Sequence, residues 1–210
     1  MNIGHTFFNK IISIENLLLS WFEFRKGKRK KQDVINFERN FEDNLFQLHT
    51  DLKSNNYIHG PYKSFIICDP KRRVIHKAAV RDRIVHHAIF RILNPLFDPT
   101  FFYDSYSCRL GKGTHKAVLR LEQFLKNVSR NYRQSCHVLK CDISQFFASV
   151  NHRILKSLIS KKIKDEKVLG LIFQIIDSFT TPRPLGGGLR EKRIAHRQSH
   201  VAIVREYLFE

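Results

Sequence analysis

The stretch from Ser135 to Arg153 holds the residue types best suited to chemistry. The apolar run His137-Val138-Leu139-Lys140-Cys141 predicts a short strand whose end presents one carboxylate, Asp142. A carboxylate at a strand tip suits magnesium, a hard cation that takes oxygen ligands and leaves room for phosphates. Phe147 follows one tight turn later, where an aromatic ring could stand beneath the sugar of a nucleotide, and a helix is expected to start near Asn151. A plainer alternative fits the same residues: an Asp closing a strand end, with Phe146 and Phe147 in a core.

Two further stretches carry cations at places where anions could be met. Lys71, Arg72 and Arg73 fall on a turn between two strand-like runs. There an arginine could fork onto phosphate oxygens and a lysine act as a point charge. A basic turn facing water is the alternative. Gly111-Lys112-Gly113 precedes Thr114, the expected N-cap of a helix, so backbone N–H groups and cations gather at a helix N-terminus. The spacing is not that of the phosphate-binding loop G-x-x-x-x-G-K-[ST]. A plain Gly-rich turn accounts for it equally well.

The elements that must position these residues follow from periodicity. Apolar residues at helical spacing predict a helix over Phe8–Phe24 and a second from about Asp33, as N-cap, to Leu52, joined by the basic run Arg25–Lys31, which is either a solvated linker or a phosphate-contacting edge. Tyr62–Cys68 and Arg73–His76 predict a hairpin across the turn Asp69–Arg72. Helices are expected over Val80–Leu93, closed by Pro95 and Pro99, then over Thr114–Asn127, Asn151–Ser160 and Asp165–Ser178. Asp82 should pair locally at its helix N-terminus, and Asp165-Glu166 should serve as helix-terminus charges. Helices, a hairpin and one further strand make an α+β domain.

Composition narrows the function classes. The 210 residues carry a net charge of +18, and a pI near 10.0 favours a polyanionic partner, with nucleic acid foremost. Four cysteines without C-x-x-C spacing point to neither zinc nor disulfides. Neighbouring His86 and His87 should face different sides of a helix. No signal-peptide pattern opens the chain, and no apolar run approaches the roughly 20 residues of a membrane span. A cytoplasmic protein with no membrane partner is expected.

Four stretches match one family in order and spacing: Asp69-Pro-Lys-Arg-Arg-Val-Ile, Arg81-Asp-Arg-Ile-Val-His-His-Ala, Asp104-Ser-Tyr-Ser-Cys-Arg-x-x-Lys-Gly-Thr-His and Leu139-Lys-Cys-Asp-Ile-x-x-Phe-Phe-x-Ser-Val. Over about Tyr57 to Ser178 the chain resembles bacterial reverse transcriptases of the group II intron and diversity-generating retroelement kind. The resemblance implies the fingers and incomplete palm of a right-hand polymerase, preceded by N-terminal helices. Its divisions are an N-terminal helical extension (1–56), fingers (57–134), partial palm (135–180) and tail (181–210). It also implies that Asp142 binds Mg2+ as the catalytic carboxylate and that Phe147 excludes the ribose 2′-hydroxyl. Lys71, Arg73 and Arg109 would contact template or incoming nucleotide. The implied partners are an RNA template, a DNA or RNA primer and deoxynucleoside triphosphates.

The chain departs from that family in two places. No Asp-Asp pair follows Asp142, so the second carboxylate motif of a two-metal site is missing. The tail also lacks the family's Gly-Leu-Pro-x-Gly-Asn-x-Thr-Ser-Gln segment. Permitted codons for Arg193–Glu210, read one base later, spell Gly-Leu-Pro-Ile-Gly-Asn-Leu-Thr-Ser-Gln-Leu-Phe-Ala-Asn-Ile-Tyr-Leu. The expectation is a loss of frame between about Thr181 and Arg193, a disordered tail, and a truncated, inactive fragment. The alternative from another class is a non-enzymatic basic nucleic-acid-binding protein in which Asp142 is structural.

Overall fold

A computed structural model describes residues 7–69, 72–143 and 150–179, leaving out the side chain of Arg73. Helices α1 (Phe7–Ile12) and α2 (Ile14–Arg25) replace the expected single helix. They part at Ser13, whose hydroxyl accepts from Asn16 N at 3.2 Å and restarts the helix as an N-cap. The second expected helix is likewise two, α3 (Gln32–Arg39) and α4 (Phe41–Lys53), broken at Asn40. Asp33 is not the N-cap. It lies in the first turn of α3, and its carboxylate is taken by Lys77 at 2.7 Å and Arg83 at 2.6 Å. Those two cations come from distant parts of the chain, which no local pattern foretells.

The hairpin forms as expected, β1 (Lys63–Ile67) antiparallel to β2 (Arg73–Lys77), with Phe65 opposite Ile75. Helix α5 (Val80–Phe97) runs past Pro95 instead of closing before it, then tightens into a 3-10 turn, Asp98–Thr100. Proline so near the C-terminus forfeits one backbone hydrogen bond, and continuing the helix buries Phe97. Gly113, with φ 111°, takes the N-cap of α6 (Thr114–Val128), a place expected for Thr114. The strand expected over 137–141 is absent. Residues 135–143 have no regular structure, with Val138 and Leu139 exposed, because a strand needs a ladder partner. Among the described residues the hairpin strands pair just with each other.

Two helices complete the described chain. Asn151 caps α7 (His152–Lys162), accepting from Arg153 N and Ile154 N. Asp165 caps α8 (Glu166–Ser178) as expected, and its other oxygen accepts from Phe8 N at 3.1 Å, pinning the start of α1. One apolar core joins α1, α2, α4, α5, α7 and α8, centred on Leu17, Trp21, Leu48, Ile84, Ile89, Ile159, Ile172 and Ile176. Trp21 meets Phe37 and Phe41 at 5.1 and 5.2 Å, tying α3 and α4 to α2. Buried Asn16 joins three helices: its amide donates to Ile11 O and Ala88 O, and its Oδ1 accepts from Arg91 Nε.

The linker from α4 to β1 is clamped on both sides. Asp82, 1% exposed, accepts from Tyr57 Oη at 2.8 Å and from Gly60 N at 3.1 Å, so it does not pair locally. Burial and this carboxylate push the Tyr57 phenol far above the usual tyrosine range. A Cβ on Gly60 would stand 3.0 Å from Asp82 Oδ2, which explains glycine there. From α8, Gln174 Nε2 donates to Tyr57 O, and Ser178 Oγ lies 3.3 Å from Tyr62 Oη.

His86 and His87 face different sides of α5, as their adjacency required. His86 is buried with its Nε2 3.2 Å from His59 Nε2, and the two rings stack. His59 Nδ1–H donates to Gly60 O at 2.7 Å, so its Nε2 accepts and His86 Nε2–H donates. Burial, then His59, His87 and Arg83, hold His86 down at about 3. Burial, then Lys28, Arg83 and Arg91, hold His87 at about 4. The unfolded chain takes up these protons near pH 6.5 while the folded chain resists, so stability should fall as pH drops below about 6.5. The slope should be about 1.4 kcal/mol per pH unit for His86, and less for the more solvent-screened His87. Urea unfolding at stepped pH measures it, and His86→Gln should flatten the curve. An unchanged slope in that variant contradicts the assignment.

Candidate functional site

The hairpin, the loop after α5 and the segment around Asp142 carry the expected site residues. Lys71 and Phe147 lie outside the described residues. Arg73 opens β2 opposite Ile67, which sets its backbone at the turn end of the hairpin. All of β1 is exposed, so the hairpin stands out from the helical core on the clamped linker. A projecting basic hairpin of this kind can close over a polyanion.

Arg109 is placed differently from a residue reaching outward. Its Nε and one terminal nitrogen fork onto Asp98 at 2.9 and 3.2 Å. That terminal nitrogen also donates to Asp98 O, the other donates to Phe102 O and Ser105 O, and the guanidinium lies over the Phe101 ring. With its side chain 11% exposed, Arg109 organises the loop 98–109 from within. Beside it, two cations lie over the Tyr103 ring, Lys112 Nζ 3.9 Å and the Arg120 guanidinium 5.5 Å from its centroid. Arg120 also bonds Asp104 at 2.9 Å and holds that carboxyl below the usual range, and Tyr106 Oη donates to the same carboxylate. Lys112, before α6, and Lys116, in its first turn, fold back onto the carbonyls of Tyr103 and Gly111 and so brace the loop.

Asp142 is exposed, and its Oδ1 accepts from Ile143 N at 3.0 Å. Among the described residues no three His, Cys, Asp or Glu side chains gather as a metal site.

Sequence reasoning missed the clamp residues Asp82, His59 and Gln174. The alternation of Tyr57, His59 and Gly60 ahead of a helix start at Val80 was the available signal, but pairing them required the fold. It also missed the neighbourhood of Phe24, where Lys28, Arg83 and His87 assemble from two helices and a turn.

No family model matches the chain. Comparison with known proteins finds nuclear intron maturase 1, mitochondrial, of Arabidopsis thaliana, 29% identical over 103 residues, covering 48% of this chain. Group II intron-encoded protein LtrA of Lactococcus lactis subsp. cremoris is 25% identical over 138 residues, 64% of the chain. Protein YkfC of Escherichia coli K12 is 27% identical over 131 residues, 61% of the chain. Two of these relatives, the maturase and LtrA, are named for introns. That similarity agrees in kind with the retroelement resemblance drawn from the four motifs. The matched part spans 34% of YkfC, 22% of LtrA and 14% of the maturase. Among the described residues no helix is long and apolar enough to cross a membrane.

The geometry around Arg109 makes a specific demand. Arg109→Lys keeps the charge but loses the fork onto Asp98 and most of the carbonyl bonds. Hydrogen exchange over residues 101–109 should quicken by about tenfold, equivalent to about 1.4 kcal/mol, while exchange in α5 stays unchanged. Unaltered protection of the loop would show that Arg109 does not organise it.

Proposed function

We propose that this chain is a reverse-transcriptase-family protein of the retroelement kind, carrying the fingers and the start of a palm built to copy RNA into DNA. The four motifs in family order carry the reading, and the similarity to intron-encoded proteins supports it. In this reading the hairpin with Lys71 and Arg73 approaches template or incoming nucleotide. Arg109 holds the adjoining loop in shape, and Phe147 gates the sugar. Asp142 is the magnesium carboxylate of a synthesis site that needs further carboxylates. One carboxylate does not make a two-metal site, so no synthetic step is assigned to the residues described. The tail carries the cause in this proposal, through a frame lost between about Thr181 and Arg193. The second reading, a basic nucleic-acid-binding module without catalysis, is favoured by the solitary Asp142, and both readings share RNA or DNA as partner.

The 210-residue chain should bind RNA or DNA with an affinity that falls steeply as salt rises, as counterion release requires. Fluorescence anisotropy across a salt series measures this, and salt-independent affinity counts against both readings. The gene's nucleotide sequence decides the frame: a neighbouring frame must encode the Gly-Leu-Pro-Ile-Gly-Asn segment. In a frame-restored chain, primer extension should occur, Asp142→Ala should abolish it, and Phe147→Ala should admit ribonucleotides while nucleic-acid binding survives. Near-full synthesis by Asp142→Ala overturns the assignment of the site. Extension by neither chain favours the binding module.

A further inference from the structure

Positive charge outnumbers acid around one buried ring. Phe24, 1% exposed, sits at the end of α2. Gly27, with φ 74°, turns the chain back so that Lys28 Nζ lies 4.9 Å from the Phe24 centroid and donates to Phe24 O at 3.0 Å. The Arg83 guanidinium, from α5, lies 4.5 Å from the same centroid, and the His87 ring meets it edge-on at 5.8 Å. Two elements thus bring three nitrogen side chains to one ring.

The acids nearby are already committed. Glu38 pairs with Arg25, Glu23 pairs with Arg91, and Asp33 is divided between Arg83 and Lys77. Lys28 has no carboxylate partner among the ion pairs of the described residues, just the Phe24 carbonyl at the weakly negative end of α2. Arg83 Nε is buried and makes no hydrogen bond, a costly vacancy for a guanidinium donor. The rim is exposed and basic, with Lys26, Arg29, Lys30 and Lys31 following one another along the turn.

We infer that Lys28, Arg83 and His87 form a phosphate-binding site, on a different side of α5 from Asp82 and His86, seating a backbone phosphodiester of a nucleic-acid strand. This deepens the nucleic-acid reading above and rests on it. An oxyanion here supplies the missing countercharge, and the basic rim continues the path of a strand beyond the one phosphate. A single free phosphate shares the chemistry, but it leaves the four rim cations unused. His87 reports occupancy. Burial, then Lys28, Arg83 and Arg91, hold its imidazole well below the usual histidine range. An anion beside it reverses that bias.

The test follows the His87 imidazole by NMR in the full chain, with a short single-stranded RNA and, separately, with inorganic phosphate. RNA should raise the His87 titration midpoint by about one pH unit or more. Lys28→Met should lessen the slope of log affinity against log salt by about 0.7, weakening binding alike for every sequence. Lys28→Arg should restore it, and melting temperatures establish that each variant is folded. If RNA still binds with the same slope in Lys28→Met and the His87 midpoint stays put, the site is overturned while nucleic-acid binding stands. An equal response to inorganic phosphate at matched phosphate concentration overturns the strand as occupant. No RNA binding even at low salt overturns this site together with the broader reading.

Discussion

A single buried carboxylate decides where the hairpin stands. Asp82 enters the core in the first turn of α5, where the helix N-terminus favours a negative group, and it accepts from Tyr57 Oη and Gly60 N. Those two bonds fix the linker against α5, and Gln174 and Ser178 hold it from α8. Removing Asp82 would leave a buried phenol without its acceptor, which is the expensive half of such a bond. The base of the hairpin has a defined place because its linker is bonded on two sides, even though neither strand is buried.

The same logic separates the two halves of the candidate interface. In the loop after α5 the cations are spent on structure: Arg109 on Asp98 and three carbonyls, Arg120 on Asp104, Lys112 on Tyr103. Around Phe24 they are spent less fully: Asp33 is shared between Arg83 and Lys77, Lys28 bonds a carbonyl and no carboxylate, and Arg83 Nε makes no bond. Equal basicity in sequence therefore has unequal meaning in space. What distinguishes the two is the supply of carboxylates and carbonyls within reach.

Much of the helical framework was legible because its cause is local. The apolar stripes over Val80–Leu93, Thr114–Asn127 and Glu166–Ser178 and the caps at Asn151 and Asp165 are properties of short windows. The breaks at Ser13 and Asn40 were hidden inside patterns that stayed helical on both sides. Pro95 misled because a proline's cost depends on how many turns follow it. The strand over 137–141 misled for a different reason: strand type is readable from sequence, but its ladder partner is not, and none lies among the described residues. Asp33 and Asp82 were misplaced because local helix-end rules cannot weigh partners fifty or twenty-five positions away. Of the candidate site, the family motifs located the pieces, while their relative roles, above all the inward Arg109, required the fold.

Helix α8 has a consequence for the order in which the chain becomes a protein. Its N-cap Asp165 bonds Phe8 N across 157 positions, and Gln174 bonds Tyr57 O across 117. Ile172, Ile175 and Ile176 complete the core on which α1 rests. Contacts of that span close large loops before they yield any return, so they form late. On the ribosome, the first helices emerge long before their last partner is made. Until α8 clears the exit tunnel, the apolar faces of α1, α2 and α5 can satisfy one another just in part. Synthesis from the N-terminus thus holds this domain in an incomplete, chaperone-accessible form for most of its translation.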